Sequence, residues 1–251
     1  MVLAVLSSLK PQTAIFDFDI SSFWPLNFNW YESALGSLWT PLLNSLIISI
    51  SATALTMVLA SGASYALARM ESGSRRRLAG AILAGILLLQ LIPQASAVIP
   101  NYTVLVFANL ANTQAGVIVF DAALMMPLAI LVLRPHFIAV PIELEDAARV
   151  DGAGTMAIFW RIVLPLTRNG LLVVGVIVFA LIWGEFIYAV TFLGTNSLLP
   201  VSVVLLNQVG QFSTSWNAVL AVAVIATIPV LALFIVSQKQ LREGISAGAI
   251  R

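Results

Sequence analysis

The chain has 251 residues, of which 60% are hydrophobic and 9% charged, with a net charge of +1 and no cysteine. Soluble domains carry roughly 45–50% apolar and about 25% charged residues, so the composition is that of a polytopic membrane protein and not of a globular domain with its own core. The lack of cysteine excludes a disulfide framework and a thiolate metal site; the lone His136 excludes a histidine cluster, and no GxxxxGK[ST] loop is present to cradle a nucleotide.

Residues 1–9, MVLAVLSSL, are apolar but too short to cross a bilayer, which takes about 20 residues. They lack the charged start and cleavage site of a signal peptide and read as the tail of a helix whose beginning is missing. Residues 10–40 are polar and aromatic, with Asp17, Asp19, Trp24, Pro25, Asn27, Asn29, Trp30 and Glu32, a composition suited to the water–membrane boundary. Five spans are predicted at 41–69, 79–98, 115–133, 170–193 and 217–237. Between them, 99–114 is amphipathic and reads as an interfacial helix, and 194–216 is mixed and reads as dipping back toward the membrane. The division is then 1–40, the end of a first helix with an external segment, and 41–251, an all-α transmembrane bundle.

Basic residues orient these spans. Arg69, Arg75, Arg76 and Arg77 follow the first; Arg134, Arg149, Arg161 and Arg168 surround the middle; Lys239, Arg242 and Arg251 follow the last. With five alternating spans all of these fall on one side and Lys10 alone on the other. The positive-inside rule makes the first side cytoplasmic. The Arg75, Arg76 and Arg77 triplet reads as a topology anchor and not as a nucleic-acid site.

The long cytoplasmic segment 141–166, PIELEDAARVDGAGTMAIFWRIVLPL, is both charged and amphipathic. Leu144, Ala147 and Ala148 share one helical face, and Glu145 stands four residues before Arg149, the supportive order for an ion pair. Asp151, Gly152, Ala153 and Gly154 break the helix. Thr155 is expected to cap a second helix, with Met156, Phe159, Trp160 and Val163 on one face and Leu164-Pro165 closing it.

Read as a pattern, Asp146-Ala147-Ala148, three residues, Gly152, nine residues, then Ile162-x-Leu164-Pro165 resembles the EAA loop of permease subunits of binding-protein-dependent ABC importers. Asp146 stands where the family usually has Glu, keeping the charge with a shorter reach. More of the chain is similar to the carbohydrate-uptake branch, in particular the second permease of the maltose type: Ser8-Leu9-Lys10-Pro11, Asn44-Ser45, Tyr65-Ala66-Leu67-Ala68-Arg69, Pro141-Ile142-Glu143-Leu144, and Trp183-Gly184-Glu185-Phe186, with glycine replacing asparagine. Residues 216–229 and the tail 244–251 resemble that branch's last helix and ending.

The resemblance implies a permease-type helical bundle in a bacterial inner membrane: five full spans plus the remnant of a first helix. Its implied partners are a second permease, two copies of a cytoplasmic ATPase that bind the ATP and Mg, an external substrate-binding protein, a sugar, and lipid, with no nucleic acid and no cofactor in this chain. It also implies that the loop docks on the ATPase through Glu145, Asp146, Ala147, Ala148, Asp151, Gly152, Ala153, Phe159, Ile162, Leu164 and Pro165. Small Ala147 and Ala148 admit close approach, and acidic residues meet a basic rim.

Ionisable groups within spans are functional suspects. Asp121 is expected near the outer end of the third span and Glu185 in the fourth. Asn44, Gln90 and Gln94 add amides, and Trp183 and Tyr188 aromatic faces, for a solute path. Bland readings stand beside these: Asn44 as a helix cross-link, Asp121 as an interfacial residue, Glu185 as a contact to the partner permease. Pro93, Pro127, Pro229, Gly175 and Gly184 read as hinge and packing features. The alternatives are an importer for another solute, an ion-coupled carrier using Asp121 or Glu185, and an intramembrane enzyme, for which no catalytic pair is found.

Overall fold

The computed structural model describes residues 2–11, 28–70, 72–209 and 215–249. Asp17, Asp19, Trp24, Pro25 and Asn27 of the expected boundary segment lie outside the described residues, as do 210–214. The elements in order are α1 Val2–Ser8, α2 Asn29–Ala68, α3 Gly73–Leu89, α4 Gln94–Phe107, α5 Gln114–Ile138, α6 Ile142–Val150, α7 Thr155–Ile158, a π turn Phe159–Val163, α8 Leu164–Leu166, α9 Arg168–Trp183, α10 Ile187–Phe192, a 3-10 turn Asn196–Leu198, α11 Val201–Asn207 and α12 Trp216–Ala249. No strand occurs among the described residues.

Three helices are long and apolar enough to cross a membrane: Ala34–Ala68 within α2, α5, and Trp216–Gln238 within α12. Two bent pairs, α3 with α4 at 98° and Thr155–Leu166 with α9 at 78°, bring the possible crossings to five. The expected span 79–98 is therefore corrected: it breaks at 90–93, where Pro93 has no N–H to continue the ladder. The expected interfacial stretch 99–114 belongs to α4, which starts earlier, at Gln94, and ends at Phe107. The expected span 170–193 is corrected likewise. It starts at Arg168, ends at Trp183, and resumes after 184–186 as α10.

The first span is longer than expected. α2 has 40 residues, about 60 Å at 1.5 Å per residue, and residues 29–40 are its first turns, not an external loop. Ala34 and Leu38 are buried there, with Tyr31, Leu42 and Leu46 packed beside them against Phe179, Trp183, Val201, Val222 and Ile225. An apolar spacing of three to four residues carries the helix through Pro41 at the loss of one rung.

α2 is the axis of the bundle. Ala52, Thr56, Ala60, Ser64 and Ala68 recur every fourth residue and are all fully buried. Such a small-residue ridge lets two helices approach where hydrocarbon offers no hydrophobic drive. α5 lies along it: Thr56 Oγ1 donates to the Ala122 carbonyl at 3.3 Å and Ser64 Oγ to the Ile130 carbonyl at 3.2 Å. The residues after α10 fold over the other end. Val201 and Val203 of α11 are buried, the Val201 N–H donates to Ser45 Oγ at 2.8 Å, and Asn112 Oδ1 accepts from the Gly194 and Thr195 N–H groups.

α5 starts on a side-chain cap, with the Gly116 N–H donating to Thr113 Oγ1 at 3.1 Å. A Cβ at Gly116 would lie 2.6 Å from the Leu110 carbonyl oxygen. Gly116→Ala is thus expected to lower the thermal midpoint by an overpacking cost of about 1–3 kcal/mol. Gly62→Ala, with nothing within 4 Å of the added carbon, is expected to leave the midpoint unchanged or raised. Equal behaviour of the two in thermal unfolding would refute the close approach.

Candidate functional site

The segment 141–166 forms an elbow. Pro141 gives α6 an extended entry, and acidic residues fill its first turn, where the helix dipole favours them. Only Glu145 of this helix is buried, and it is fully buried. Tyr65 Oη donates to Oε2 at 2.7 Å, Arg69 Nε to Oε1 at 2.7 Å, Arg69 Nη2 lies 2.6 Å from Oε1, and Arg149 Nη2 3.2 Å from Oε2. Arg69 also donates from Nη1 to the Phe137 carbonyl at 3.0 Å and from Nη2 to the Val140 carbonyl at 3.2 Å. These carbonyls lie at the end of α5 and in the turn after it, where the helix's own ladder runs out. One guanidinium thus joins the ends of α2 and α5 to α6, the use its planar fork suits. Tyr65 packs between Phe137, at 6.1 Å, and Phe159, at 5.2 Å.

This corrects the expected orientation of α6. Glu145, expected to dock outward, is the inner anchor. Of Leu144, Ala147 and Ala148, expected to share one face, Leu144 and Ala147 are exposed, while Ala148 packs inward. Asp146 is exposed and paired with Arg149. The turn that follows closes α6: the Gly152 N–H donates to the Arg149 carbonyl and the Ala153 N–H to the Ala148 carbonyl, the Schellman pattern. Asp151 caps the helix, and Gly152 sits at φ +85°, a conformation glycine takes freely.

In the second arm, Thr155 does not cap. Gly154 holds the cap position without a side-chain bond. Leu164-Pro165 lies in the last turn of this arm, which ends at Leu166 before the 78° bend. The π turn at Phe159–Val163 widens the helix. Phe159 packs on the core and Val163 is buried, whereas Met156 is 70% and Trp160 54% exposed. Ile162 and Leu164 are half-buried and Pro165 exposed. The elbow therefore exposes Leu144, Ala147, Val150, Met156 and Trp160, together with Asp146 and Asp151.

A second cluster forms in the bundle where the broken spans meet. Gln94 Nε2 donates to Glu185 Oε1 at 2.7 Å, and Asn101 Nδ2 to Tyr188 Oη at 3.1 Å. Glu185 lies in the break before α10, correcting its expected place within a continuous span, and its carboxylate accepts from the Ile187 and Tyr188 N–H groups. It closes the start of α10, donors the helix cannot pair itself. Asp121, in the second turn of α5, is 1% exposed, which sets aside the reading of it as an interfacial residue, and its Oδ1 has no partner among the described residues. Phe120 packs edge-on against Tyr188 and Phe192.

The other solute-path candidates fall elsewhere. Asn44 cross-links α2 to the outer segments, donating to the Ser197 and Leu199 carbonyls and accepting from Gln114. Trp183 belongs to the second core and donates to the Ala226 carbonyl at 3.0 Å. Gln90 is exposed and, with Gln94, lines a recess of about 470 Å³ bounded by Leu124, Pro127 and Leu181. The sequence reading passes over Asn101 and the Tyr65–Arg69 pair as site residues; the i, i+7 spacing of Gln94 and Asn101 is the signal the sequence offers for the first. Among the described residues no group of three or more His, Cys, Asp or Glu could hold a metal.

Residues 60–246 match the family described as "Binding-protein-dependent transport system inner membrane component". The Melibiose/raffinose/stachyose import permease protein MelC of Bacillus subtilis is 32% identical over 239 residues, 94% of this chain and 83% of that protein. The Diacetylchitobiose uptake system permease protein DasC of Streptomyces coelicolor is 33% identical over 215 residues, 85% and 76% of the two chains. A chain from the crystal structure of a bacterial ABC transporter involved in the import of the acidic polysaccharide alginate superposes with a TM-score of 0.77 at 20% identity, covering 95% of this chain and 88% of that one.

Proposed function

The chain belongs to the family of binding-protein-dependent transport system inner membrane components, and from that premise we propose that it translocates a carbohydrate as one of two permeases of an ATP-driven importer. The carbohydrate assignment is supported by the relatives whose printed names concern melibiose, raffinose and stachyose, trehalose, and diacetylchitobiose. An external binding protein delivers the sugar, and two cytoplasmic ATPase subunits hold the ATP and Mg. The membrane is the bacterial inner membrane, with the elbow on its cytoplasmic side by the distribution of arginine.

The observation that carries the mechanism is the two-sidedness of the elbow. Its inner side is welded to α2 and α5 through Glu145 and Arg69. Its outer side offers Ala147, Leu144 and Val150 beside Asp146, Asp151 and Gly152, a surface a neighbour can approach closely. Ala148, Ala153, Phe159, Ile162, Leu164 and Pro165 shape the elbow behind that surface. A push on the outer side reaches the bundle because the inner side does not slip. Coupling further requires that the ATPase states bind the two bundle conformations unequally.

The test is transport in vesicles. The purified permease pair with ATPase and binding protein is expected to accumulate sugar on ATP addition, and none under an ion gradient when the ATPase is left out. Uptake driven by the gradient alone would replace this reading with that of an ion-coupled carrier acting through Asp121 or Glu185.

A further inference from the structure

We propose that this chain contributes its own carbohydrate-contacting patch, formed by Gln90, Gln94, Asn101 and Glu185 at the junction of the two broken spans. The proposal rests on the carbohydrate reading above. It concerns which residues touch the sugar, not which machinery drives it.

Four observations converge on this place. The first is the backbone: α3 gives way to α4 at 90–93 and α9 to α10 at 184–186. Interrupted helices at membrane depth are tolerated where they are buried in protein or line a cavity, and in secondary transporters they mark solute sites. The Gln94–Glu185 bond at 2.7 Å joins the two interruptions.

The second is chemistry. A sugar hydroxyl donates and accepts, so a patch for it needs both functions. A side-chain amide has two donors and an accepting oxygen. Gln94 and Asn101 each spend one donor on a neighbour, which leaves both amide oxygens to accept. Gln90 is exposed and Gln94, Asn101 and Glu185 are half-buried, so all four are reachable.

The third is space. Gln90 and Gln94 open on the recess of about 470 Å³, within the roughly 300–1,000 Å³ of small-molecule sites. Its other walls, Leu124, Pro127 and Leu181, are apolar, which matches a site that fixes orientation with few polar groups.

The fourth is support. Tyr188 is buried, stacks on Phe192 at 5.0 Å and 12°, and holds Asn101 by its hydroxyl. Asp121 lies buried nearby, its Oδ1 without a partner among the described residues. Tyr188 is thus a positioning residue for the amide in front of it.

The competing account is that these amides only cross-link helices, as polar side chains do in bundles. The complete importer, expressed in cells, is offered a mixture of mono- to tetrasaccharides together with a dipeptide, and internal solutes are read by mass spectrometry. Gln94→Leu and Asn101→Leu are expected to lower uptake at least tenfold and to change the ranking of sugars taken up, with ATP hydrolysis stimulated by the binding protein staying within twofold. Tyr188→Phe is expected to reproduce the change in ranking at smaller amplitude, and Gln94→Asn to retain most uptake.

Unchanged uptake in both leucine variants would overturn the patch. So would uptake and ATP hydrolysis falling together with the ranking preserved, which is the signature of a helix cross-link. A wild-type importer that takes up the dipeptide and no saccharide would overturn the carbohydrate reading itself. That outcome is distinct because it appears before any substitution is made.

Discussion

Arg69→Met is expected to destabilise the folded chain by about 3–5 kcal/mol, the usual cost of removing one partner of a buried ion pair, and to abolish ATP-driven uptake. The size follows from what remains. Glu145 is fully buried and would keep only the Tyr65 hydroxyl at 2.7 Å and the more distant, half-exposed Arg149. The Phe137 and Val140 carbonyls would each lose the guanidinium bond as well. Arg69→Lys is expected to fail nearly as badly, since one ammonium cannot reach the carboxylate and two carbonyls as the guanidinium does. The double variant Arg69→Met/Glu145→Leu separates stability from coupling. With both charges gone the desolvation cost goes too, and replacing a buried pair by apolar groups is often near neutral. Its thermal midpoint is therefore expected to return most of the way toward wild type. Uptake is expected to stay lost, because nothing then fixes α6 to α2. A double variant that regains both would reduce the weld to a folding device with no part in transmission.

Much of this architecture is written in the residues at short range. Hydropathy finds the apolar stretches, and arginine distribution gives their direction. The spacing from Asp146 through Gly152 to Leu164-Pro165 locates the elbow. The errors lie where the deciding partner is remote in sequence. α6 has an apolar pattern of Leu144, Ala147 and Ala148, yet the helix turns Glu145 inward because Arg69, 76 residues earlier, waits there. No local periodicity encodes that. The breaks at 90–93 and 184–186 vanish in a hydropathy window because their residues are flanked by strong apolar runs, and only Pro93 and Gly184, read as hinges, point to them. Tertiary contacts stabilise them instead: Gln94 on Glu185, and Glu185 on the start of α10. One feature was readable and carries the bundle. The fourfold spacing of Ala52, Thr56, Ala60, Ser64 and Ala68 is the contact ridge of α2, a signal of close helix approach. The early turns of α2 were obscured by tryptophan and tyrosine, which suit an interface but also pack a helix on its neighbours.

Ala147→Trp is expected to lower ATP-driven uptake at least tenfold while the chain inserts and unfolds like wild type. Its neighbour Ala148→Trp is expected to fail earlier, at folding. The two alanines are adjacent and chemically identical, so the contrast tests direction alone. Ala147 faces away from the bundle, and a bulky ring there disturbs no internal packing. Ala148 packs on the core and supplies the carbonyl that closes the turn onto Ala153. An indole there overfills a packed site, at about 1–3 kcal/mol or more. If a neighbouring subunit seats on the Ala147 face, as the proposed coupling demands, the indole holds the two surfaces apart. Co-purification of the ATPase and ATP hydrolysis stimulated by the binding protein should then fall together with uptake. Asp146→Asn should give a milder loss, because its charge sits at the edge of that face and is already shared with Arg149, an exposed arrangement worth about 1 kcal/mol at most. Full uptake by Ala147→Trp would mean that the outward face meets no neighbour. The elbow would then be only an inner clasp between α2 and α5, and the force that turns the bundle would have to enter somewhere else.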